Sequence, residues 1–331
     1  MRKPMPNPGW NLVGDVGGTH ARFALCKDAS ALEKISVLDS ADFAGIDSAV
    51  KHYLGLHGQP KINHAAIGMA NPVTGDHVTM TNLPWAFSTE ETRNALGLNS
   101  LHIINDFAAL ALAVPLLSPA GFIQMGGQSA VPDTPLAVLG PGTGLGISAL
   151  VPTRDSGWAV IAGEGGHADF APGNERELTL WREAQRKFGH VSKEHLLSGP
   201  GLEFIYQIFS RLSGKPMQTR SAAEISAQAI SNSCAVCRES LDTFCAILGA
   251  VAGDMALTLG ARGGVYLGGG IVPKLGDYVL QSPFRSRFES KGRLRSYLQP
   301  VPAFVITDPY AGLLGAAAYL DANADDKEAA G

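Results

Sequence analysis

The amino-acid sequence predicts an α/β protein made of two duplicated halves. Short apolar segments typical of strands alternate along the chain with segments of helical spacing. A strand, a glycine-rich turn and a second strand occur at 14–26 and again at 140–151, which indicates duplication rather than a single doubly wound sheet. The length of 331 residues also suggests about two domains. We expect a small α/β domain of residues 1–116 with about 308–331, and a large α/β domain of residues 117–307.

The first half follows this alternation from its start. Its predicted elements are strands at 11–15, 21–26, 64–69 and 101–104 and a helix at 45–57. Asp106 follows the last of these strands and is expected to open a second helix, which Pro115 stops.

The second half repeats the pattern with more helices. Its predicted elements are strands at 136–139, 147–151, 265–267 and 303–307 and helices at 192–197, 202–212 and 235–259. Ser221 and Glu224 have the spacing of a capping box, which predicts one further helix. Asp308 followed by Pro309 predicts the N-cap and first residue of the final helix.

The composition excludes several classes of protein. Hydrophobic residues make up 45% and charged residues 17%, which argues against disorder, and a net charge of −4 argues against nucleic-acid binding. Four Cys do not form a disulfide scaffold in a chain of this length. The best apolar run, 108–117, is about half of a membrane span and contains Pro115, and the first ten residues lack the apolar segment of a secretory signal. We expect a soluble cytoplasmic protein that binds neither nucleic acid nor membrane, whose 39 glycines need an explanation.

The first glycine-rich segment, GDVGGTHAR at 14–22, has the composition of a phosphate-binding turn. Its glycine pair lets backbone N–H groups approach an anion, Thr19 adds a hydroxyl donor, and Arg22 adds a planar cation. Asp15 suits hydrated Mg²⁺, since a carboxylate beside phosphate needs a bridging cation. The alternative is an ordinary β-hairpin turn. The candidate phosphate ligands in this segment are Gly14, Asp15, Gly17, Gly18, Thr19 and Arg22.

Two further glycine clusters lie beside predicted strands of the second half. GPGTGLG at 140–146 would form a second concave group of backbone amides, so that two loops could grip a triphosphate. Glycines at 263–264 and 268–270 flank another strand, where bare backbone could accept adenine or ribose. Tight packing of the strand against a helix is the alternative for this last cluster.

Asn105 and Asp106 follow a predicted strand and precede a predicted helix. Asn and Asp are among the preferred helix N-cap residues, which explains the pair without any chemistry. A carboxylate at a strand end is also suited to act as general base on a hydroxyl. The two interpretations are compatible, and the residues alone leave both open.

The segment GEGGHADF at 163–170 holds Glu, His and Asp on a glycine-rich backbone. Glu164 and His167 could hydrogen-bond vicinal hydroxyls. Zinc binding is the alternative, but one His with carboxylates lacks the spacing of zinc ligands. Glu194 lies in the first turn of the predicted helix 192–197, where the helix dipole alone would account for a carboxylate.

Cys234, Cys237 and Cys245 lie at helical spacing within an apolar segment. Buried reduced thiols explain this pattern. No βαβ pattern surrounds the Cys-x-x-Cys pair, as it does in a thioredoxin-like redox motif.

Taken in order, these motifs resemble those of the bacterial glucokinases. The segments that carry the resemblance are LVGDVGGTHARFALC, INDFAA, GPGTGLG, GEGGHADFAP, SKEHLLSGPGL and GGVYLGGGIVPK. Each motif is moderately specific, whereas the ordered set, over about residues 11–320, is highly specific. The resemblance implies a two-domain actin-like ATPase (ribonuclease H-like) fold with an interdomain cleft. It also implies a homodimer that transfers the γ-phosphate of ATP to the 6-hydroxyl of glucose with Mg²⁺.

By position, the resemblance makes Asp106 the catalytic base. The sugar ligands that it implies, besides Asp106, are Asn105, Glu164, His167 and Glu194. The implied phosphate loops are Asp15, Gly17, Gly18 and Thr19 in the first half and Gly142, Thr143 and Gly144 in the second, with Gly269 and Gly270 on the nucleoside side. His20 stands where Asn is common in the family. The Cys-rich zinc motif of the related repressor and kinase family is absent, so no structural zinc is expected.

Three other functions fit parts of the pattern. Another hexose or N-acetylhexosamine kinase could use the same fold, and a non-catalytic sugar or ATP sensor could keep the binding loops. The intact set of Asp15, Asp106 and both glycine loops argues against a sensor. A chaperone-like or actin-like function is the third, but such proteins do not need a sugar site of the kind that Asn105-Asp106 and GEGGH offer.

Overall fold

The computed structural model describes residues 9–71, 75–80, 83–154, 157–214 and 218–323. The chain divides into two compact units. Unit 1 comprises Met1–Ser118 with Asp308–Gly331, and unit 2 comprises Pro119–Thr307. Each unit has its own mixed β-sheet.

Strands and helices alternate through most of the described residues. In chain order the strands are β1 (Trp10–Val16), β2 (His20–Cys26), β3 (Leu32–Asp39), β4 (Ile62–Met69), β5 (His77–Thr79), β6 (Ala86–Ser88), β7 (Ser100–Asn105), β8 (Phe122–Gln124), β9 (Leu136–Pro141), β10 (Leu145–Pro152), β11 (Trp158–Gly163), β12 (Val265–Leu267) and β13 (Ala303–Ile306). The α-helices are α1 (Ile46–Leu56), α2 (Thr89–Ala95), α3 (Asp106–Ala113), α4 (Glu175–Phe188), α5 (Gly199–Leu212), α6 (Ala222–Ile230), α7 (Ala235–Leu259), α8 (Asp277–Gln281), α9 (Phe284–Glu289), α10 (Arg295–Leu298) and α11 (Ala311–Ala322).

Five strands of each main sheet share one topology, which confirms the predicted duplication, and the sheet of unit 2 has β8 in addition. The strand order is β3-β2-β1-β4-β7 in unit 1 and β11-β10-β9-β12-β13-β8 in unit 2. In each sheet three consecutive strands pair antiparallel, and the first of them pairs parallel with the next strand of the sheet. The repeated strand–turn–strand pattern of the sequence forms the hairpins β1–β2 and β9–β10.

The sheet of unit 1 is covered on both faces. Successive residues of β1 point to opposite faces, so Leu12 packs with Tyr53 of α1, whereas Val13 packs with Leu313 and Ala316 of α11. Helix α11 also packs closely against α3. At Gly315 a Cβ atom would collide with the backbone carbonyl of α3, so only glycine allows this approach.

The core of unit 2 is built around the long helix α7. It packs against α5, α6, α9 and β9, and it is buried along most of its length. Within the described residues it alone is long and apolar enough to cross a membrane, yet 56% of its apolar window is buried inside the protein. Gly249 and Gly253 let α9 approach, because Cβ atoms there would collide with the carbonyls of Phe284 and Phe288. These contacts identify α7 as a core helix.

The predicted helix at 192–197 is wrong. This segment forms turns, and its backbone pairs with a distant segment, since the N–H of Glu194 donates to the carbonyl of Gly166 at 2.9 Å. Gly199-Pro200 therefore does not end a helix. It begins α5, with Ser198 as the N-cap.

The final helix begins two residues later than predicted, at Ala311 rather than Pro309. The Asp308 carboxylate still stabilises this start, because it accepts a hydrogen bond from the N–H of Tyr310 at 2.8 Å. Strands β3 and β11 and helix α4 were not predicted. The two strands lie at sheet edges, where their burial is low and their apolar pattern is weak.

Candidate active site

The candidate residues fall into two groups, one in each unit. Those of unit 1 are Gly14, Asp15, Gly17, Gly18, Thr19, Arg22, Asn105 and Asp106. Those of unit 2 are Gly142, Thr143, Gly144, Glu164, His167, Glu194, Gly269 and Gly270.

The first glycine-rich turn joins β1 to β2, and backbone and side-chain hydrogen bonds stabilise its conformation. The N–H of Gly17 donates to the carbonyl of His20 at 3.0 Å. Ser40 donates twice, from its N–H to the carbonyl of Thr19 at 2.9 Å and from its hydroxyl to the carbonyl of Gly17 at 3.1 Å. The tip of the turn at Thr19 is exposed. This arrangement suits a loop that binds an anion through backbone and hydroxyl groups.

Asp15 and Arg22 face each other across the β1–β2 hairpin. The Arg22 guanidinium donates to the Asp15 carboxylate at 3.0 Å, so the side chain expected to bind phosphate is here the partner of Asp15. Burial raises the pKa of the Asp15 carboxyl, and the charge and hydrogen bond of Arg22 oppose that rise. Gly312 of α11 lies against the same carboxylate, where a Cβ atom would be 2.9 Å from its carboxyl carbon. Asp15 is thus held on two sides.

A single carboxylate such as Asp15 is compatible with hydrated Mg²⁺. Within the ranges that the structure describes, no group of three or more His, Cys, Asp or Glu side chains could hold an ion. Mg²⁺ keeps several of its waters and often takes only one or two carboxylates, together with substrate phosphates. Asp15 supplies one oriented carboxylate of this kind beside a turn that is suited to bind phosphate.

Asn105 and Asp106 lie where β7 ends and α3 begins. The Asn105 side-chain oxygen accepts a hydrogen bond from the N–H of Ala108 at 3.0 Å, so Asn105 is the N-cap of α3 and the capping interpretation is confirmed for it. An Asp106 carboxylate oxygen accepts from the N–H of Phe107 at 2.9 Å. Gly68 on neighbouring β4 lies next to the start of α3, since a Cβ atom there would be 3.6 Å from the Asp106 Cα. The helix start therefore orients both side chains.

The three candidate sugar ligands of unit 2 lie together. The His167 ring stands between two carboxylates, with its Nε2 3.9 Å from Glu164 and its Nδ1 3.9 Å from Glu194. About 61% of the His167 side chain is exposed, compared with 30% for Glu194. The cluster can both donate and accept hydrogen bonds, as the recognition of several sugar hydroxyls requires.

Glu194 also contacts the second glycine-rich loop. One of its carboxylate oxygens accepts a hydrogen bond from the N–H of Leu145 at 2.8 Å, and it lies where a Cβ atom of Gly144 would be. The Ser198 hydroxyl holds the backbone of Glu194 by donating to its carbonyl at 2.9 Å. The sugar cluster and the loop are therefore joined by one side chain. This contact was not predicted, because its partners are 49 residues apart in the sequence.

The nucleoside-side glycines lie against the same loop. Gly269 has a positive φ of 79°, and a Cβ atom there would be 2.7 Å from the carbonyl oxygen of Pro141. The N–H of Ile271 donates to that same carbonyl at 3.2 Å, and the N–H of Gly199 donates to the carbonyl of Gly142 at 2.8 Å. Unit 2 thus brings its loop, its nucleoside-side segment and its sugar cluster together.

The sequence did not single out three residues that support the candidate site. Ser40 and Gly312 lie far along the chain from the groups that they contact, and no local motif marks either of them. Ser198 does carry a local signal, because Ser directly before Gly-Pro has the pattern of an N-cap followed by Pro near the helix start.

Comparison with known proteins gives matches along nearly the whole chain. The model of the Glucokinase family matches residues 12–323. The glucokinase of Chromobacterium violaceum is 51% identical over 320 residues, which are 97% of this chain and 92% of that protein.

Solved structures give the same result for the fold. A glucokinase from an Antarctic psychrotroph is 38% identical and superposes with a TM-score of 0.85, covering 96% of this chain and 100% of that one. A ROK family glucokinase from Streptomyces griseus in complex with glucose and AMPPNP has a TM-score of 0.63 at 19% identity, covering 93% of this chain and 98% of that one. The second likeness concerns the fold alone, and both agree with the actin-like ATPase class that the sequence predicted.

Proposed function

The chain belongs to the glucokinase family and is an ATP-dependent sugar kinase, and we propose that Asp106 is the general base of its reaction. The γ-phosphate of ATP passes to the 6-hydroxyl of glucose, giving glucose 6-phosphate and ADP. The position of Asp106 carries this assignment, because its carboxylate is oriented by a helix start directly after a buried strand.

Asp106 accepts the proton of the 6-hydroxyl as that oxygen attacks phosphorus. A positioned base of this kind contributes roughly 10²- to 10⁴-fold to the rate. Asn105 has its side-chain oxygen engaged as the N-cap, so its amide NH₂ is the group that donates to a sugar hydroxyl.

Glu164, His167 and Glu194 bind and orient the sugar through its remaining hydroxyls. The distances of 3.9 Å from His167 to each of the two carboxylates support this role, since adjacent hydroxyls of a pyranose need closely spaced partners. A buried polar group left without its partner costs about 1–3 kcal/mol. Sugars that lack or invert one hydroxyl are therefore bound less well.

Backbone amides and hydroxyls of the two glycine-rich loops hold the nucleotide. The residues proposed for this are Gly14, Gly17, Gly18, Thr19, Gly142, Thr143, Gly144, Gly269 and Gly270, with Arg22 acting through Asp15. Asp15 would hold Mg²⁺ through water, and the ion when bound would neutralise charge on the phosphates. We further propose that the enzyme is a cytoplasmic homodimer, which light scattering and cell fractionation test.

An Asp106→Asn variant tests the base. Turnover should fall roughly 10²- to 10⁴-fold while glucose still binds measurably, because Asn keeps the shape and loses the basic oxygen. Asp47→Asn is the matched control, since Asp47 is an exposed carboxylate in the first turn of α1 and its loss should leave turnover unchanged. ADP release is measured with glucose, mannose, fructose and N-acetylglucosamine. Near wild-type turnover of the Asp106 variant would refute the assignment of Asp106 as the general base. Selectivity for a sugar other than glucose would refute the assignment of glucose as the substrate.

A further inference from the structure

Cys234 and Cys237 occupy two positions at a helix start whose side chains face each other. Cys234 is the N-cap of α7, and Cys237 is the third residue of the helix. At the start of α6, Ser221 and Glu224 hold the same two positions, and each side chain reaches the backbone of the other. The two positions of a capping box bring their side chains toward one another, and a disulfide between them needs Cβ atoms roughly 3.5–4.5 Å apart.

The two thiols differ in their access to solvent. Cys234 is partly exposed at the end of the helix, whereas Cys237 is fully buried. The Cys237 thiol donates a weak hydrogen bond to the side-chain oxygen of Gln228 at 3.7 Å, which favours its protonated form. A small reagent can therefore reach the first sulfur but not the second.

The two thiols also differ in acidity. Burial alone would raise the pKa of Cys234, but the N–H groups of Cys237 and Val236, the Cys237 thiol and the charge of Arg220 outweigh it and lower that pKa. Burial and the adjacent Cys234 raise the pKa of Cys237 to about 12. An exposed acidic thiol before a buried, weakly acidic one is the usual order in redox-active Cys-x-x-Cys sites.

We propose that Cys234 and Cys237 form a redox-active dithiol that is oxidised by small-molecule disulfides, with Cys234 as the attacking thiol and Cys237 as the resolving thiol. The site lies at the α6–α7 junction of unit 2 and contains none of the residues assigned to phosphate transfer. It gives the chain a reversible covalent chemistry in addition to its kinase activity.

The reaction proceeds in two balanced exchanges. The Cys234 thiolate attacks one sulfur of the small disulfide, whose other sulfur leaves as a thiolate and takes up a proton. The mixed disulfide removes the negative charge of Cys234, which is one cause of the raised pKa of Cys237, whereas burial, the larger cause, remains. Cys237 then loses its proton, attacks the Cys234 sulfur and releases the second small thiol. Two protein thiols are oxidised and one small disulfide is reduced to two thiols.

The other two thiols of the chain serve as internal controls. Cys26 lies in β2 and Cys245 in the middle of α7, both are fully buried, and burial raises the pKa of each to about 12. Neither should react while the protein is folded.

The test uses the native protein and glutathione disulfide as the probe. After oxidation and alkylation, mass spectrometry should find a Cys234–Cys237 disulfide, which dithiothreitol reverses, with Cys26 and Cys245 still reduced. At neutral pH the reduced protein should be alkylated at Cys234 at least about tenfold faster than at Cys245. A glutathione adduct that persists on Cys234, or equal alkylation of the two thiols, would overturn the proposal.

Two variants separate the roles of the thiols. Cys237→Ala should trap a stable glutathione adduct on Cys234, and Cys234→Ser should form neither adduct nor disulfide. Cys245→Ala is the matched control, and it should still form the disulfide. Thermal unfolding shows whether each variant is folded. If a variant does not fold, the mass spectrometry of the native protein still tests the proposal. Adduct formation on the Cys234→Ser variant would contradict the assignment of the attacking thiol.

Discussion

A single missing methyl group at Gly144 allows a carboxylate to reach the second glycine-rich loop. The Glu194 carboxylate lies where a Cβ atom of residue 144 would be, and it accepts the N–H of Leu145 there. Any side chain at this position must displace Glu194, and Glu194 is also near His167. One glycine therefore links the geometry of the loop to that of the sugar cluster.

We predict that Gly144→Ala lowers kcat/KM for glucose about 10- to 100-fold, because a displacement of about 1 Å at a site can cost about 10²-fold. Gly163→Ala is the matched control, since nothing lies within 4 Å of a Cβ atom at Gly163 and its loss should change little. Steady-state kinetics with varied glucose measure both variants. Equal kinetics of the two would show that Glu194 does not depend on Gly144.

His195 gives the stability of the protein a dependence on pH. Burial lowers its pKa, although Glu194 opposes this, and its Nδ1 accepts a hydrogen bond from the N–H of Ser192 at 3.1 Å. The ring also stacks on Phe188, with 4.2 Å between centroids. The folded protein therefore protonates this ring at a lower pH than the unfolded chain does, and the unfolded chain protonates it below about pH 6.5.

Because the unfolded state binds the extra proton, we predict that the free energy of unfolding falls as pH drops below about 6.5. Above that pH this histidine does not make the free energy of unfolding depend on pH, since it is neutral in both the folded and the unfolded state. His195→Asn keeps an acceptor and cannot titrate, so its unfolding should depend less on pH. Urea unfolding at several pH values compares the two proteins, and the same slope in both would exclude His195 as the cause.

The contact between α3 and α11 positions the start of α3, which carries Asn105 and Asp106. Gly315 of α11 lies directly against the backbone of Ala109. We predict that Gly315→Ala lowers the free energy of unfolding by about 1–3 kcal/mol and reduces turnover, because the added methyl group forces the helices apart.

The same substitution at Gly55 should have the opposite effect. Gly55 lies in α1 with open space around it, and alanine favours a helix over glycine by about 0.5–1 kcal/mol. Denaturant unfolding and activity of the two variants form one experiment. If Gly315→Ala is as stable as Gly55→Ala, the close packing of α3 and α11 is not needed.

Local sequence patterns predicted the elements that local forces determine. The two strand–turn–strand units, the capping box at Ser221 and the core helix α7 all carry their signal within a few residues. The segment 192–197 did not, because its backbone pairs with residues near Gly166 instead of with itself. Tertiary hydrogen bonds determine the conformation of that segment, and a local sequence pattern does not reveal such bonds.

In the candidate site, too, local patterns indicated some residues, whereas contacts between distant segments were not predictable. Residue types at strand ends and in glycine-rich turns indicated Asp15, Asp106 and Glu164 from the sequence alone. The pairing of Arg22 with Asp15 and the contact of Glu194 with the loop depend on strand register and on chain segments far apart. Such contacts require the assembled sheet.

At the scale of the whole molecule, ligand binding should stabilise the folded protein. A ligand at about 100 times its Kd adds about 2.7 kcal/mol to the free energy of unfolding. We predict that glucose raises the unfolding temperature of the wild type and that Glu194→Gln, which keeps an oxygen for the N–H of Leu145, folds but loses most of this rise. Glu239→Gln, on an exposed ion pair with Arg176, should keep it. Scanning calorimetry with and without glucose measures the rise in unfolding temperature for each protein. If glucose raises the unfolding temperature of Glu194→Gln as much as that of the wild type, Glu194 is not a sugar ligand.

The return of α11 to unit 1 has a consequence for protein synthesis. Val13, Ala66 and their neighbours on one face of the first sheet pack against Leu313, Ala316 and Leu320 of α11. The ribosome makes that helix after every residue of unit 2. Unit 2 can therefore fold on the nascent chain while the first sheet still exposes an apolar face. Chaperones that bind nascent chains should hold this face until translation has passed α11.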